Sequence, residues 1–275
     1  MPDISVIIPV YNRKHTLKRA VDSVLLQDGV DWELVVVDDG SDDGTATLLR
    51  QYAGDGRITV LEQPNRGVSS ARNAGVRASR AGYLAFLDSD DEWLPGKLKA
   101  QMDFFSQSDF RIHQTREIWV RDGVRVNPPR HLMKREGDLF PASLERCMIT
   151  PSSAAMTREL FERFGGFDEA YPACEDYELW LRITAGHKVG LIRKAYLIRY
   201  GGHHDQLSSS ITALDQYRIR AMVKLLDKGG ISATQRAHCL RVLKKKLSIF
   251  KKGCVKRNKT HKLQWCENIE KAYLC

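Results

Sequence analysis

The chain has 275 residues, 43% of them hydrophobic and 28% charged, with a formal net charge of +9. That length buries a substantial core in one large domain, or in one domain with an appendage. No run of about 18 apolar residues exists to span a bilayer. The start, Met1-Pro2-Asp3-Ile4, has no basic segment ahead of a long apolar one, so a secretory leader is not expected and the cytoplasm is the expected compartment.

In chain order, residues 5–10 (Ser-Val-Ile-Ile-Pro-Val) form the short continuous apolar run of a buried parallel strand. Residues 16–26 place Leu17, Ala20, Val21, Val24 and Leu25 at helical spacing, and residues 33–37 are a second buried strand. Asp43-Gly44-Thr45 opens a helix through Tyr52, residues 58–61 are a third strand, and residues 68–79 a helix before the strand at 83–87. Pro95 sits where a first helical turn tolerates it and predicts a helix to Phe105. Trp93 and Trp180 lie in helix-like apolar patterns and are expected to fill the core. This order predicts an α/β fold: a Rossmann-like, mostly parallel sheet with helices on both faces and right-handed crossovers. Ligands of such sheets gather beyond the carboxyl ends of the strands.

After Ser106 the pattern changes. Residues 112–120 and 124–126 flank Arg121-Asp122-Gly123, a tight-turn signal, and predict an antiparallel hairpin. Pro128-Pro129 and Gly137-Asp138 mark a loop over the site. Residues 152–156 suggest a strand, 158–164 a short helix, 175–185 an amphipathic helix with Leu179, Trp180 and Ile183 inward, and 189–192 and 195–200 two last strands.

Three carboxylates fall within four residues in Phe86-Leu87-Asp88-Ser89-Asp90-Asp91, directly after an apolar strand. Like charges at a strand end raise one another's pKa unless donors or a cation compensate them, and a hard divalent metal with oxygen ligands is the usual compensation. A lone Asp-x-Asp would more readily be a solvated turn. Tyr11-Asn12 and Asp38-Asp39-Gly40-Ser41 end two other strands on the same side of the sheet.

These residues carry a resemblance. Residues 5–12, the run Val36-Val37-Asp38-Asp39-Gly40-Ser41-Asp42-Asp43-Gly44-Thr45, Asn65-Arg66-Gly67 to Ala71-Arg72-Asn73-Ala74-Gly75, the acidic run, and Gly165-Gly166-Phe167-Asp168 with Glu175-Asp176 resemble the glycosyltransferase family 2 pattern over residues 1 to about 210. The resemblance implies the GT-A fold, a nucleoside-diphosphate sugar as donor, a divalent cation (Mn or Mg), and inversion at the anomeric carbon. It implies a nucleotide-sugar half over about 1–106 and an acceptor half over about 107–210. Asp88 and Asp90 would contact the metal, joined by His203 of the His203-His204-Asp205 segment. Pro9, Tyr11, Asn12, Asp38, Asp39, Arg66, Arg72, Ser89 and Asp91 would surround the donor, with Asp91 near the sugar or capping the helix from Pro95. Arg66 and Arg72 would touch the diphosphate or pair with nearby aspartates. Asp176 matches the family's general base, at a helix start whose dipole favours its ionised form, with Glu175 as the fallback.

The implied reaction is inverting transfer of a sugar to a hydroxyl of a glycan or lipid-linked acceptor in cell-surface polysaccharide synthesis. A nucleotidyltransferase would need a Gly-rich phosphate loop after the first strand, and Tyr11-Asn12-Arg13-Lys14 has no glycine. An inactive sugar-nucleotide-binding regulator fits poorly with the intact carboxylates.

Charge divides the chain. From Gln216 onward there are 16 Lys or Arg against 3 acidic residues, whereas the preceding part has 27 against 31. Residues 211–275 therefore form a basic helical C-terminal extension. Apolar residues at helical spacing beside a basic face in residues 240–252 suit either an anionic membrane surface, with the protein peripheral on its inner face, or attachment to the body. No nucleic-acid motif is present. The six cysteines lack paired spacing and are expected to be free thiols, and Cys254, His261, Cys266 and Cys275 match no familiar zinc pattern.

Overall fold

A computed structural model describes residues 1–52, 54–202 and 214–275. The elements are β1 (Ile4–Val10), α1 (Leu17–Leu25), β2 (Trp32–Asp38), α2 (Thr45–Leu49), β3 (Ile58–Glu62), α3 (Val68–Ala78), β4 (Tyr83–Phe86), β5 (Glu92–Trp93), α4 (Lys97–Ser106), β6 (Ile112–Arg121), β7 (Val124–Val126), α5 (Phe140–Glu145), β8 (Ala154–Thr157), α6 (Arg158–Arg163), α7 (Glu175–Thr184), β9 (Gly190–Gly201), α8 (Asp215–Lys228), α9 (Ala233–Lys256) and α10 (Thr260–Tyr273). The strands form one sheet in the order β3-β2-β1-β4-β8-β6-β9-β5, with β7 paired to β6. β1 to β4 pair in parallel; β8 runs against both β4 and β6, and β6 and β9 are parallel to each other.

Every residue of β1 and β2 is buried, as expected for strands covered on both faces. Ile4, Val6 and Ile8 join one cluster with Leu17, Val21 and Val24 of α1, while Ile7 joins a second with Ala71 and Val76 of α3 and Leu179 and Trp180 of α7. The strand alternation thus serves two helical layers. Gly75 lets α3 lie against β1: a Cβ there would stand 2.5 Å from Ile7 Cγ2.

A third cluster joins α5 and α7 to the C-terminal helices, with Tyr177 and Leu181 against Met222, Leu225, Val242, Leu243, Leu247 and Phe250. The apolar stripe of residues 240–252 is therefore largely buried inside the protein, with Ile249 left exposed, and its basic residues Arg241, Lys244, Lys245 and Lys252 face solvent. Helix α7 is covered on both sides. Cys254 and Cys266 are buried in this cluster and all six cysteines are free; among the described residues no cluster of metal-ligating groups forms. No described helix is long and apolar enough to cross a membrane.

Several boundaries differ from the sequence expectations. The two last strands are one, β9, with irregular register where Thr115–Glu117 of β6 faces it. The exposed Arg193 and Lys194 interrupt the apolar pattern without interrupting the strand. Trp93 lies in the short strand β5 and not in a helix, although it is buried as expected. Helix α4 starts at Lys97, after Gly96 in the left-handed conformation (φ +77°), so Pro95 precedes the helix. At the hairpin, Asp122 and Gly123 both take positive φ, the turn that two-residue connections favour.

One polar cluster lies under the sheet. His113 is fully buried between the Phe104 and Phe105 rings, and neither of its nitrogens has a hydrogen-bond partner. Burial, aided by the charge of Lys97, holds its pKa down to about 3. The unfolded chain therefore takes up this proton first, near pH about 6.5, and stability falls as pH drops from there toward the folded-state value. Lys97, also held down by burial, adds a loss that begins at higher pH. In His113→Leu, the thermal midpoint should fall less steeply between pH 6.5 and 4.5 (roughly the histidine range) than in the wild type. Parallel midpoint-against-pH curves would show that His113 is not the acid-labile group.

Candidate active site

A cleft of about 1040 Å³ opens beyond the carboxyl ends of β1, β2 and β4. Pro9, Tyr11, Asn12, Asp39, Arg66, Arg72, Asp88, Ser89, Asp90, Asp91, Glu175 and Asp176 all line it. Among the described residues, Asp38 is absent from the lining; the expectation for His203 falls outside the described residues.

The segment after β1 is fixed by the turn after β2. Asn12 adopts a left-handed backbone (φ +52°), and its side chain both donates to Asp42 Oδ1 and accepts from Asp42 N, each at 2.9 Å. Tyr11 is left 46% exposed at the cleft, a free ring beside the strand end. Asp38 is buried and its Oδ1 accepts from Ser41 N at 2.9 Å, so it shapes the turn. Asp39 reaches the cleft with both oxygens engaged: Gln63 Nε2 and Arg66 N donate to Oδ1 at 2.7 and 2.9 Å, and Gly67 N to Oδ2 at 2.8 Å. It anchors the loop that carries Arg66, whose side chain is exposed at the cleft.

The acidic run is held from below. Ser152 Oγ donates to Asp91 Oδ2 at 2.7 Å and accepts from Asp88 N at 3.1 Å, while Tyr200 N donates to Asp91 Oδ1 at 3.2 Å. Asp91 is thus a buried brace between strands and does not cap the next helix. Burial first, then the charges of Asp90 and Asp88, push its pKa well above the usual carboxylate range. Arg19 Nη2 donates to Asp90 O at 2.6 Å and secures the loop.

Arg72 is a buried cation of the site. It is 3% exposed, and it donates from Nη2 to Asp88 Oδ1 and from Nη1 to Glu175 Oε1, both at 2.7 Å. It also lies over the Phe167 ring at 5.0 Å. Glu175 is nearly buried; that burial raises its pKa against the pull of Arg72, and Asp176 raises it further. Asp176, half-buried on the next position of α7, accepts from Tyr177 N at 2.6 Å and from Cys147 Sγ at 3.2 Å. Burial, then the charge of Asp176, pushes the Cys147 thiol well up and keeps it a neutral donor.

Sequence reasoning missed Ser152, Cys147, Cys174 and Arg218. Ser152 stands in a single 3-10 turn (Pro151–Ser153) and Cys147 in an irregular segment, neither with a motif, and Arg218 belongs to the basic C-terminal region. Cys174, left-handed (φ +60°) immediately before the carboxylates of α7, carried no sequence signal for that conformation.

The fold is shared with solved structures. S. aureus TarS, residues 1–349, in complex with UDP-GlcNAc superposes with a TM-score of 0.72 at 20% identity, covering 89% of this chain and 71% of that one. Mannosyltransferase PcManGT from Pyrobaculum calidifontis, in complex with GDP-Man and Mn²⁺, gives 0.63 at 19% identity, covering 93% and 77%. A mostly parallel sheet with a carboxylate-lined cleft beyond its strands is thus the GT-A glycosyltransferase architecture. The family described as Glycosyl transferase family 2 matches residues 5–165, and the chain belongs to it. Among relatives, the E. coli protein WfaP, a UDP-Glc:alpha-D-GlcNAc-diphosphoundecaprenol beta-1,3-glucosyltransferase, is 28% identical over 250 residues, 86% of this chain and 90% of that protein. The chain spans about a third of the length of the glycosyltransferases of Rickettsia felis and Rickettsia conorii that it also matches.

Replacing Arg72 by Met should cost about 3 kcal/mol, as expected when one partner of a buried ion pair is removed. The cost should shrink as pH falls and Glu175 takes up a proton, and Glu175→Gln should recover part of it in the double variant. Urea unfolding of the four proteins at neutral and at mildly acidic pH measures this. Strictly additive losses would mean that the pair does not hold α7 to the acidic loop.

Proposed function

We propose that the chain transfers a sugar, with inversion, from a nucleoside-diphosphate sugar to a hydroxyl of a glycan carried on a lipid phosphate, in cell-surface polysaccharide synthesis. The observation that carries this is the meeting of Asp88 and Asp90 with Asp176 in one cleft, where Arg72 ties Asp88 to the start of α7. The family membership, the acceptor named for WfaP, and the UDP-GlcNAc and GDP-Man bound by TarS and PcManGT support it.

The donor set suits a hard divalent cation, Mn²⁺ or Mg²⁺. Asp88 and Asp90 offer carboxylate oxygens, and Arg72 takes only Oδ1 of Asp88. Two carboxylates do not close a cage, so such an ion would be shared with donor phosphates. When bound, it would offset charge developing on the departing nucleoside diphosphate. Tyr11 offers a ring beside the base, Asp39 holds the 65–67 loop, and Arg66 adds positive charge for the diphosphate. The acceptor hydroxyl gives its proton to Asp176 as its oxygen bonds to the anomeric carbon, while the bond from that carbon to the diphosphate breaks on the opposite face. Cys147 and the helix start orient Asp176 for this.

Asp176→Asn should lower the transfer rate by about 10² to 10⁴, the usual contribution of a general base, with metal-dependent UDP affinity nearly unchanged by calorimetry. Asp90→Ala should lose both. An Asp176→Asn protein at the wild-type rate, or an Asp90→Ala protein that still binds UDP in a metal-dependent way, would reassign these residues.

The exposed basic face of α9 supports docking on an anionic membrane surface, where lipid-linked acceptors reside. Each lysine near such a surface contributes about 1 kcal/mol at low salt. The charge reversals Lys244→Glu, Lys252→Glu and Lys256→Glu together should abolish sedimentation with phosphatidylglycerol vesicles at low salt and leave the fold intact, since all three are exposed. Full-strength vesicle binding by that variant would remove α9 from membrane contact.

A further inference from the structure

One wall of the cleft comes from the C-terminal region. Leu214 and Arg218 line it together with Cys174 and Asp176, and Cys174 Sγ lies 3.8 Å from Leu214 O as a weak donor. Arg218 Nη1 donates to Asp215 Oδ1 at 3.1 Å. Lys246 Nζ donates to the same oxygen at 3.4 Å, so one carboxylate is shared by two cations. Arg218 Nε is buried with no acceptor, and an unmade hydrogen bond on a buried charged group is costly.

Among the described residues, the neighbours do not supply the missing anion. Cys174 and Tyr177, whose charges would act on Arg218, are kept protonated by burial, Cys174 with its pKa pushed up to about 12. Glu175 is committed to Arg72, and Asp176 to Cys147 and Tyr177 N. Arg218 therefore stands on the wall that carries Asp176, with part of its planar fork unused and its one carboxylate partner, Asp215, shared with Lys246.

We propose that Arg218 anchors a phosphate group of the acceptor, holding the acceptor so that its hydroxyl meets Asp176. The guanidinium fork matches phosphate oxygens in a bidentate way that a point charge does not. The inference rests on the function proposed above, and it makes the C-terminal helices part of the acceptor site.

The test is a fluorescence titration of the full chain with farnesyl phosphate, with farnesol as the uncharged control, in the presence and absence of UDP and Mg²⁺. Wild type should prefer farnesyl phosphate to farnesol. Arg218→Gln should lose about tenfold or more of the farnesyl phosphate affinity, the scale of one charge-assisted hydrogen bond, and keep its UDP affinity. Asp215→Asn frees Arg218 from its competitor and should bind farnesyl phosphate more tightly, which decides the matter even if Arg218→Gln fails to fold. Displacement by inorganic phosphate would mark the free anion as sufficient; no displacement, with dependence on Arg218 intact, would mark the lipid-borne phosphate as the source. Equal affinities in wild type and Arg218→Gln, or no gain in Asp215→Asn, overturn the proposal. A wild type that binds farnesyl phosphate but not UDP would sink the glycosyl-transfer function and leave the anion subsite standing.

Discussion

The site depends on one buried guanidinium. Arg72 projects from α3 and joins Asp88, at the end of the parallel sheet, to Glu175, 103 residues later in the chain. Neither carboxylate could sit where it does without that cation, because burial works against the charge of Glu175 and the acidic loop crowds like charges. The placement of Arg72 rests in turn on α3 lying close to β1, which Gly75 permits. A glycine contact in the core thus fixes the distance between the acidic loop and the helix bearing Asp176.

Helix α7 has no solvent face to give away. Trp180, Leu179 and Ile183 fill the core against the sheet, and Tyr177 and Leu181 fill the cluster shared with α8 and α9. This is why its first turn, with three acidic residues, can be held rigidly at the cleft. The C-terminal helices are therefore a second support for the wall that carries Asp176, and most of their apolar residues are spent on that packing. What remains outside is the basic face, with Ile249 and Val255 exposed beside it.

Much of this was legible in the sequence wherever local pattern and tertiary role coincide. β1 and β2 read as continuous apolar runs because they are covered on both faces, and the Asp88–Asp91 run read as a site because carboxylates at a strand end demand compensation. The pattern misled where two partners compete for one residue. Asp38 and Asp39 are adjacent acids in one motif, yet one is held in the turn and the other reaches the cleft. Arg193 and Lys194 read as a break between strands, whereas the backbone ladder continues beneath exposed side chains. Ser152, Cys147 and Arg218 were invisible because their roles come from contacts between distant segments, which no local window records.

Strain marks the same boundary. Asn12 and Cys174 are non-glycine residues in left-handed conformations on the cleft wall, each costing about 1 kcal/mol or more. Asn12 is stabilised by its paired bonds to Asp42, so its strain is offset between the two turns that follow β1 and β2. Cys174 has a long thiol contact to Leu214, and its carbonyl accepts from Glu178 N at 3.0 Å; its conformation is held by the body of α7 on one side and by α8 on the other. The sharp turn at Cys174 is what starts α7 at Glu175 and sets Asp176 at a helix N-terminus. The C-terminal region therefore helps to hold a backbone conformation that this local sequence would not adopt by itself.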